Sequence, residues 1–346
     1  MQDNLHEILR QIKSLSPQDY QSLINLLLAE PQLEAKSISG FASDIKSSDV
    51  YICPYCGSQH IQRNGHRPDG VQKYICKDCK RSFVPTTNTV FAYTHKSLED
   101  WLSYLRCVLS KNTIREAAKN CGLNIKTSFQ WRHKVLKSLV LMEEGVTFEG
   151  ISEGDETYFA LSFKGNRRAF QDGEVDRAPH KRGHEVHKRG LSKEQVCVPC
   201  IVDRERHSVA KTACLGTCSS GALESILGNR LQQLTTLCTD ENAVYRKFAK
   251  EHNLNLVQIK GGKTSRGLYH IQHLNSYHSM LKKFLRKFNG VATKYLNGYL
   301  AWHNFLDYAK ESISEKSNIL KEWLVKSSSH STWADIMAMT PIPTMA

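Results

Sequence analysis

Apolar positions in the first half of the chain change between helical spacing and short strand-like runs. Helical spacing over the first 30 residues predicts an N-terminal helical region, and the polar, serine-rich remainder of 1–48 predicts a linker. Short strand-like runs with many Cys, Gly and Pro residues occupy 49–95. Helical spacing returns over 96–145, which we predict to be a small all-α domain.

The second half of the chain begins with strand-like runs. From about residue 148 these are FEGISEGDETYFALSF, QVCVPCIVDR and SVAKTACL, and shorter strands then alternate with helix-like stretches. This order predicts an α/β domain with a central sheet over 146–310, followed by a helical tail over 311–346. The last long helical region is expected to begin near 274 and to run past 306. Five aromatic residues of the helical regions are expected in the core: Trp101, Trp131, Tyr295, Tyr299 and Trp302.

The balance of charge narrows the class of partner. Hydrophobic residues make up 40% and charged residues 23% of the 346, which is ordinary for a folded chain and excludes wholesale disorder. Lys and Arg number 47 against 34 Asp and Glu, a formal net charge of +13. Such an excess attracts polyanions, and nucleic acid is the first candidate. A basic protein without a polyanionic partner is the alternative.

The sequence gives no sign of a membrane segment. No apolar run approaches the ~20 residues that span a bilayer, and the N-terminus lacks the pattern of a secretory signal. We therefore expect the chain in the cytoplasm, where its 11 cysteines stay reduced. They are then metal ligands or small buried apolar residues, and for the second group of cysteines, from Cys197 to Cys218, burial is the preferred interpretation.

Four cysteines have the spacing of a zinc site. Cys53 and Cys56 form one CxxC pair and Cys76 and Cys79 another, and each pair can direct two thiolates at one point. Four thiolates are the tetrahedral set that structural Zn²⁺ prefers, so 49–95 is predicted to be a small β domain of zinc-ribbon type. The surrounding basic residues suit phosphate contacts, or are a solvated face without a partner.

Residues 113–139 have the pattern of a helix-turn-helix. A short helix ends near Gly122, and Asn124 suits the N-cap of a second helix. Ser128 stands where an apolar residue is expected. Five residues of the second helix are predicted to face outward and to meet DNA: Lys126, Thr127, Gln130, His133 and Lys134. A plain packing unit of two helices is the alternative.

A long basic loop joins the first two predicted strands of the α/β domain. Residues 164–193 hold nine Lys and Arg against four Asp and Glu, and long loops in compact domains are usually functional or mobile. We predict contacts to DNA from Arg167, Arg168, Lys181, Arg182, Lys188 and Arg189. A flexible surface insertion is the alternative.

Two aspartates of the α/β domain are placed to meet. Asp155 lies within a predicted strand, and Asp240 follows the short apolar run TTLC. Carboxylates on neighbouring strands can hold hard divalent ions such as Mg²⁺ through oxygen. Exposed aspartates at strand ends are also common without any ion, and the pattern alone does not separate the two interpretations.

Several motifs, in order, carry a resemblance that covers residues 50 to about 308. They are CPYCGS…CKDCKRSF, EAA…WRHKVL, GDETYF, KRGLSKEQVCVPCIVDR, TDENAVYRKFA and HLNSYHSMLKKFLRKFNGVATKYLNGYLAWHNF. In these motifs the chain resembles insertion-sequence transposases of the DDE superfamily, and within it the ISXO2-like transposases of the IS1595 family. The resemblance implies a catalytic domain of RNase H-like (retroviral-integrase-like) fold over 146–310.

The resemblance also implies the catalytic residues and their metal. Asp155 and Asp240 take the first two positions of the catalytic triad, and the third falls on Asn275, where most relatives in the wider superfamily have Glu. Lys282 lies seven residues later, about two helical turns on and therefore on the same face. Two Mg²⁺ (or Mn²⁺) ions are expected at these residues, although an amide brings no negative charge to them.

The expected activity is DNA transposition. Such an enzyme binds the ends of its element, cuts DNA strands and joins the 3′-hydroxyl ends to target DNA by two-metal transesterification. Its expected partners are double-stranded DNA and further copies of this chain, as a homodimer or larger assembly, and bound protein would associate with a bacterial-type nucleoid. A catalytically inactive, domesticated regulator that binds DNA is the alternative, since Asn replaces the acidic residue at 275.

Overall fold

A computed structural model describes residues 16, 18–19, 52–166, 171, 192, 194–260 and 265–340. The predicted N-terminal helices, the linker and most of the basic loop lie outside these ranges. The described residues divide into two compact units, one with Phe91–Tyr104 and the residues up to Thr87, the other with Asn88–Val90 and the residues from Leu105 onward.

The first unit contains a three-stranded antiparallel sheet. Its strands are β1 (Ile61–His66), β2 (Gln72–Cys76) and β3 (Ser82–Phe83), with β2 in the centre. Tyr74 of β2 stacks on Phe83 of β3 at 5.7 Å between ring centroids, and both side chains are buried. The buried core of this sheet is small: it consists of Cys53, Tyr74, Cys76 and Phe83. The strand-like runs predicted between 49 and 95 are therefore confirmed.

Three helices follow the first sheet. They are α1 (Leu98–Leu109), α2 (Ile114–Asn120) and α3 (Ile125–Glu143), and α2 and α3 belong to the second unit. The predicted stop and start between α2 and α3 are confirmed. Gly122 adopts a φ of +60°, which favours glycine, and the Leu123 N–H returns to the Ala118 carbonyl at 2.8 Å. The Asn124 side chain accepts from the Lys126 N–H and begins α3.

A mixed sheet forms the centre of the second unit. Its strands are β4 (Ile151–Ala160), β5 (Gln195–Asp203), β6 (Ser208–Ala210), β7 (Cys214–Leu215), β8 (Thr236–Thr239) and β9 (Asn255–Gln258). Their order in the sheet is β6-β5-β4-β8-β9, and β4 pairs antiparallel with β5 but parallel with β8. β6 pairs antiparallel with β5, β9 pairs parallel with β8, and the short β7 also pairs with β5. The predicted α/β domain with a central sheet is confirmed.

Helices pack around this sheet. The connection after β7 forms α4 (Ser220–Leu227), and α5 (Ala243–Glu251) lies between β8 and β9. A short hairpin of β10 (Ser265–Arg266) and β11 (Tyr269–His270) precedes α6 (Gln272–Arg286). A buried cluster that includes Phe148, Ile201, Leu223, Leu237 and Phe248 joins the sheet to α4 and α5.

The last helical region is interrupted, which differs from the single region predicted from 274 past 306. After α6 the backbone takes positive φ angles at Asn289 and Gly290, and the helix cannot continue through them. The chain resumes in a 3₁₀ turn, Thr293–Tyr295, then α7 (Leu296–His303) and a π-helical turn, Asn304–Tyr308. The predicted helical tail is present as α8 (Ile313–Lys326) and α9 (Trp333–Met337).

The tail helices pack on α3. The Trp323 indole N–H donates to the Ser138 carbonyl at 2.9 Å, and Phe129 meets Trp333 at 5.8 Å between rings. The five aromatic residues expected in the core are all buried, from Trp101 and Trp302 at 0% exposure to Tyr295 at 9%. No helix in the described part of the chain has both the length and the apolar character needed to cross a membrane.

This packing corrects part of the prediction for α3. His133 and Lys134 were expected on an outer face, but they are 3% and 5% exposed. His133 lies between Phe129 and Tyr295, at 4.4 and 4.1 Å between ring centroids. The sequence pattern of α3 does not show the burial of His133, because Tyr295, which covers one side of its ring, lies more than 150 positions further along the chain. Ser128 is also buried, and its hydroxyl donates to the Ile114 carbonyl at 2.8 Å and joins α3 to α2.

Candidate functional site

Asp155 and Asp240 lie where β8 ends beside β4. The two strands are parallel, and Gly154 stands opposite Thr239, the last residue of β8. Asp155 follows Gly154 on β4, and Asp240 directly follows the end of β8. The fold therefore brings the two predicted carboxylates together. Gly154 fits closely here, because a Cβ at this position would lie 3.3 Å from Leu237 and 3.4 Å from Tyr245.

The environment of Asp155 opposes its negative charge. Burial, with a further contribution from the neighbouring carboxylates of Glu156 and Asp240, raises the pKa of Asp155 to about 7, while Lys282 acts in the opposite direction. Its Oδ1 accepts the Glu156 N–H at 2.8 Å. A group of carboxylates that repel one another in a half-buried place is suited to a bound cation, which would relieve the repulsion.

The turn after β8 holds Asp240 in place. Asp240 Oδ1 accepts the Asn242 N–H at 3.0 Å, and the Gln258 side chain donates to the Asp240 carbonyl at 3.0 Å. Asn242 caps α5 by accepting from the Val244 N–H, and its amide group lies 3.4 Å from Glu156 Oε2. The turn is therefore tied to β9, to α5 and to the strand that carries Asp155.

Asn275 and Lys282 lie on α6, which packs on β4 and β5. Both side chains are exposed, with Asn275 in the first turn of the helix and Lys282 about two turns later. Lys282 is near enough to Asp155 for its positive charge to lower the pKa of that carboxyl, against the larger effect of burial. The structure thus joins Asp155 with Asp240 and sets the helix of Asn275 and Lys282 against the strand of Asp155.

Sequence reasoning missed a second acidic residue on the same face of β4. Glu153 is 1% exposed and lies two positions before Asp155. Its carboxylate, with His270 and His273, forms one of two groups in the described residues whose ligand atoms lie within 4.8 Å and could hold a metal ion. The signal was available: residues two apart on a strand share a face, so an acidic residue two positions from Asp155 points to the same side.

The other group consists of Cys53, Cys56, Cys76 and Cys79, the four cysteines predicted as zinc ligands. Cys53 Sγ lies 3.7 Å from Cys79 Sγ, and Cys56 Sγ lies 3.7 Å from Cys76 Sγ. Four Zn–S bonds of about 2.3 Å in a tetrahedron require sulfur atoms about 3.8 Å apart, so the donor set fits zinc. A hydrogen bond from the Cys79 N–H helps to lower the pKa of Cys76 to about 6, which favours the thiolate that a metal binds.

The predicted DNA-binding residues differ in their accessibility. Lys126 is exposed, with its ammonium 4.8 Å from the Trp333 ring, and Thr127 and Gln130 are half-buried. His133 and Lys134 are buried, as described above. The six basic loop residues, Arg167, Arg168, Lys181, Arg182, Lys188 and Arg189, lie outside the described residues.

Comparison with known proteins connects the second unit to one family. Residues 147–305 match a family model described as the ISXO2-like transposase domain. A protein described as uncharacterized in the transposable element ISH50 of Halobacterium salinarum is 26% identical over 265 residues, covering 75% of this chain and 85% of that protein. The insertion element iso-IS1N protein InsA of Shigella dysenteriae is 29% identical over 77 residues, covering 22% of this chain and 79% of InsA.

Solved structures give weaker likenesses. A chain of the simian T-cell lymphotropic virus intasome, solved with a PP2A regulatory subunit, matches with a TM-score of 0.30 and 13% identity, covering 70% of this chain and 78% of the other. A chain of the pre-cleavage Mos1 transpososome matches with a TM-score of 0.21 and 10% identity, covering 66% and 78%.

Proposed function

Because the chain belongs to the IS1595 family of ISXO2-like transposases, as its sequence motifs predicted, we propose that it cuts DNA at the ends of its element and joins those ends to target DNA. The observation that carries the proposal is the pair Asp155 and Asp240. They directly follow Gly154 and Thr239, which are partners in the register of two parallel strands within the matched domain. The mixed sheet around them is consistent with an RNase H-like catalytic domain.

We assign the chemistry to a site built from Asp155, Asp240 and Asn275. Two carboxylate oxygens and one amide oxygen are ligands that suit Mg²⁺ or Mn²⁺. Two such ions, when bound, would activate the attacking water or 3′-hydroxyl and stabilise the leaving oxygen of the phosphodiester. Lys282, two turns from Asn275 on the exposed face of α6, is placed to neutralise a phosphate of the bound strand.

We propose that the other parts of the chain hold DNA. A structural Zn²⁺ at Cys53, Cys56, Cys76 and Cys79 would fix the basic ribbon of the first unit. In the second unit, Lys126, Thr127 and Gln130 are accessible on the first turns of α3 and are the contacts we retain from that helix. The basic loop, with Arg167, Arg168, Lys181, Arg182, Lys188 and Arg189, is a further proposed contact.

The division of labour follows the predicted domains. Residues 49–95 and 96–145 would bind DNA, and 146–310 would carry the reaction. Since two element ends are handled together in transposition, we propose a homodimer or larger assembly on DNA.

The test is strand cleavage by the full chain. A labelled duplex that includes the DNA flanking the gene is incubated with Mg²⁺ or Mn²⁺, and the products are separated by length. We expect cleavage by the wild type and a loss of at least about a thousandfold for Asp155→Asn or Asp240→Asn, since each removes a charged metal ligand.

The control is Glu251→Gln, which removes an exposed carboxylate at the end of α5 and should cut like the wild type. Cleavage that survives in both Asp variants would refute the assignment of the site. Tight binding of the duplex by the wild type without any cleavage would favour the regulator instead.

A further inference from the structure

Glu153 is a buried carboxylate that the proposed chemistry does not use. It lies on β4 at 1% exposure, and burying a carboxylate costs several kcal/mol unless donors surround it. A strand position that faces a helix would ordinarily be filled by an apolar side chain. The presence of a charge there therefore requires partners.

The partners come from three other segments of the chain. Glu153 Oε1 lies 2.8 Å from His273 Nδ1, 3.2 Å from His270 Nδ1 and 3.3 Å from Arg204 Nη1. Glu153 Oε2 accepts the backbone N–H of Leu274 at 3.0 Å. One carboxylate thus joins β4 to the turn after β5, to β11 and to the first turn of α6.

The bond to Leu274 supplies a cap that the N-cap residue of α6 does not provide. That residue is Ile271, which makes no side-chain cap hydrogen bond, and the neighbouring His270 Nδ1 accepts only the first N–H, that of Gln272, at 3.3 Å. The first N–H groups of a helix have no partner within the helix, and its N-terminus favours negative charge. Glu153 meets both needs from the neighbouring strand.

This bond also connects the two catalytic elements. Asn275 directly follows Leu274 on α6, and Glu153 lies two residues before Asp155 on the same face of β4. At the other end of α6, Lys164 donates to the carbonyls of Asn289 and Gly290 at 2.9 and 2.7 Å, from the segment that follows β4. Both ends of the region that carries Asn275 and Lys282 are therefore held by residues that flank Asp155 in sequence.

We propose that Glu153 is a positioning residue: by holding the first turn of α6 to β4 it sets Asn275 at the distance from Asp155 that a shared metal ion needs. Its partner Arg204 neutralises the carboxylate, so that Glu153 adds no competing anionic site beside the metal. The inference rests on the proposed function for the role of Asn275, whereas the anchoring of α6 stands on the contacts alone.

Direct metal binding by Glu153, His270 and His273 is the competing use of the same cluster. The guanidinium of Arg204 argues against it, because Nη1 lies 2.8 Å from both His270 Nε2 and His273 Nδ1. A cation is thus already in place among these groups, and a metal ion would have to displace it. Hydrogen exchange and Mn²⁺ binding in variants of these residues separate the two cases.

The experiment measures hydrogen exchange and Mn²⁺ binding in the full chain. Glu153→Ala removes the anchor, and Glu153→Gln keeps an acceptor for the Leu274 N–H but no negative charge. Glu144→Gln, an exposed carboxylate after α3, is the control. We expect amides in peptides that cover Gln272–Ser276 to exchange about 10- to 100-fold faster in Glu153→Ala, less so in Glu153→Gln, and unchanged in the control.

Exchange elsewhere decides whether the effect is local. Peptides of β5 and α3 should keep their wild-type protection. If Glu153→Ala fails to fold, the exchange rates of Glu153→Gln alone test the positioning role. Mn²⁺ affinity, measured by calorimetry, should fall about tenfold in Glu153→Gln without a change in the affinity for DNA. A purely structural role would not produce this split between metal and DNA.

The outcomes separate this inference from the proposed function. Unchanged exchange over Gln272–Ser276 in both variants would overturn the positioning role, whatever the protein cuts. If the Glu153 variants lose protection and Mn²⁺ affinity but the wild-type protein never cleaves DNA, the positioning role stands and the proposed function is rejected. A bound ion that disappears in His270→Ala and His273→Ala but survives in Asp155→Asn would replace the positioning role by a metal site.

Discussion

At the scale of single residues, charge and burial conflict at several places in the second unit. Asp155, Glu153 and Glu143 are all acidic and at least half-buried, and each meets this cost differently. Burial raises the pKa of Asp155 and of Glu143 to about 7, and Asp155 also has Lys282 close enough to lower its pKa, whereas Glu153 is surrounded by donors. Asn275, which we propose as the third metal ligand, is exposed and carries no charge, and the effect of adding a charge there can be tested directly.

Asn275→Asp should bind Mn²⁺ more tightly than the wild type. The substitution adds a negative charge at the proposed third metal ligand, where an amide offers only its oxygen. We expect about a tenfold gain in affinity for Asn275→Asp and a loss of similar size for Asn275→Ala, measured by calorimetry at low salt. Equal affinities for all three proteins would show that position 275 does not touch the ion.

Glu143 should make the stability of the protein depend on pH. Burial raises the pKa of Glu143 to about 7, and its Oε2 has no hydrogen-bond partner among the described residues, although Asn304 donates to Oε1. The native state therefore holds a proton that the unfolded chain has already released between about pH 4.5 and 7. Stability falls as pH rises through that window, by up to roughly 3 kcal/mol, and then levels off.

Glu143→Gln should remove the part of this fall that Glu143 causes, because the amide is neutral at every pH and keeps the oxygen that Asn304 uses. The part due to Asp155, whose pKa is also raised to about 7, should remain. We expect the variant to match the wild type near pH 4.5 and to exceed it by up to about 3 kcal/mol at pH 8, in urea unfolding at both values. Glu144→Gln, the exposed neighbour, should follow the wild type. A wild-type stability that is flat between these values would mean that Glu143 is ionised in the native state.

The residues that the sequence revealed are those whose meaning is local or carried by a motif. Two CxxC pairs predict four thiolates at one point, and GDETYF and TDEN mark Asp155 and Asp240. Glu153 and Glu143 could not be found in this way, because the partners of their carboxylates lie 51 to 161 positions away, at residues such as Arg204, Leu274 and Asn304. Only the folded chain brings those donors to them.

At the scale of elements, boundaries were easier to predict than environments. Gly122 and Asn124 gave the end of α2 and the start of α3 correctly, because capping depends on neighbours in sequence. The buried face of α3 was misjudged at His133 and Lys134, since α7, α8 and α9 all contact this helix. A helix that reads as amphipathic by itself can be covered on a second side by a distant part of the chain.

The contact between α3 and α7 should be intolerant of a side chain at Gly298. A Cβ there would lie 3.0 Å from the Leu136 Cβ, which is closer than side chains normally approach. We expect Gly298→Leu to force the helices apart and to lower the free energy of unfolding by about 1–3 kcal/mol in urea melts.

Gly221 provides a matched helix position for comparison. It lies in α4, and a Cβ added there would have nothing within 4 Å, so Gly221→Leu should gain up to about 1 kcal/mol from helix propensity alone. If Gly298→Leu were as stable as Gly221→Leu, α3 and α7 would not be in the close contact described here.

At the scale of the whole molecule, the two units are stabilised by different means. The second unit has an extensive apolar core around its sheet, whereas the buried cluster of the first unit's three-stranded sheet consists of four residues, two of them cysteines predicted as zinc ligands. A core this small is insufficient without a cross-link or a metal. The chain has a net charge of +13, and we expect the sheet of the first unit to depend on a bound zinc ion for its fold.

The salt dependence of the affinity for DNA should therefore depend on whether zinc is bound. A protein that neutralises Z phosphates shows a slope of about −0.9Z in a plot of log K against log salt. With contacts from both units we expect at least about six phosphates, a slope of about −5 or steeper, for DNA that carries the element end. Fluorescence anisotropy between about 50 and 200 mM salt covers a range in which affinity would fall by roughly a thousandfold.

Removing the zinc should make that slope shallower without abolishing binding. Cys53→Ser/Cys56→Ser would remove two of the four proposed zinc ligands, and the basic residues of the three-stranded sheet would no longer lie on a fixed surface. The contacts of the second unit remain, so the slope should become shallower by about 2 or more, from about −5 to about −3, while weak binding persists. Cys214→Ser, a half-buried cysteine outside the cluster, should keep the wild-type slope. If the double variant kept the full slope, the ribbon would be a structural appendage, and the excess positive charge that binds DNA would belong to the second unit and its basic loop.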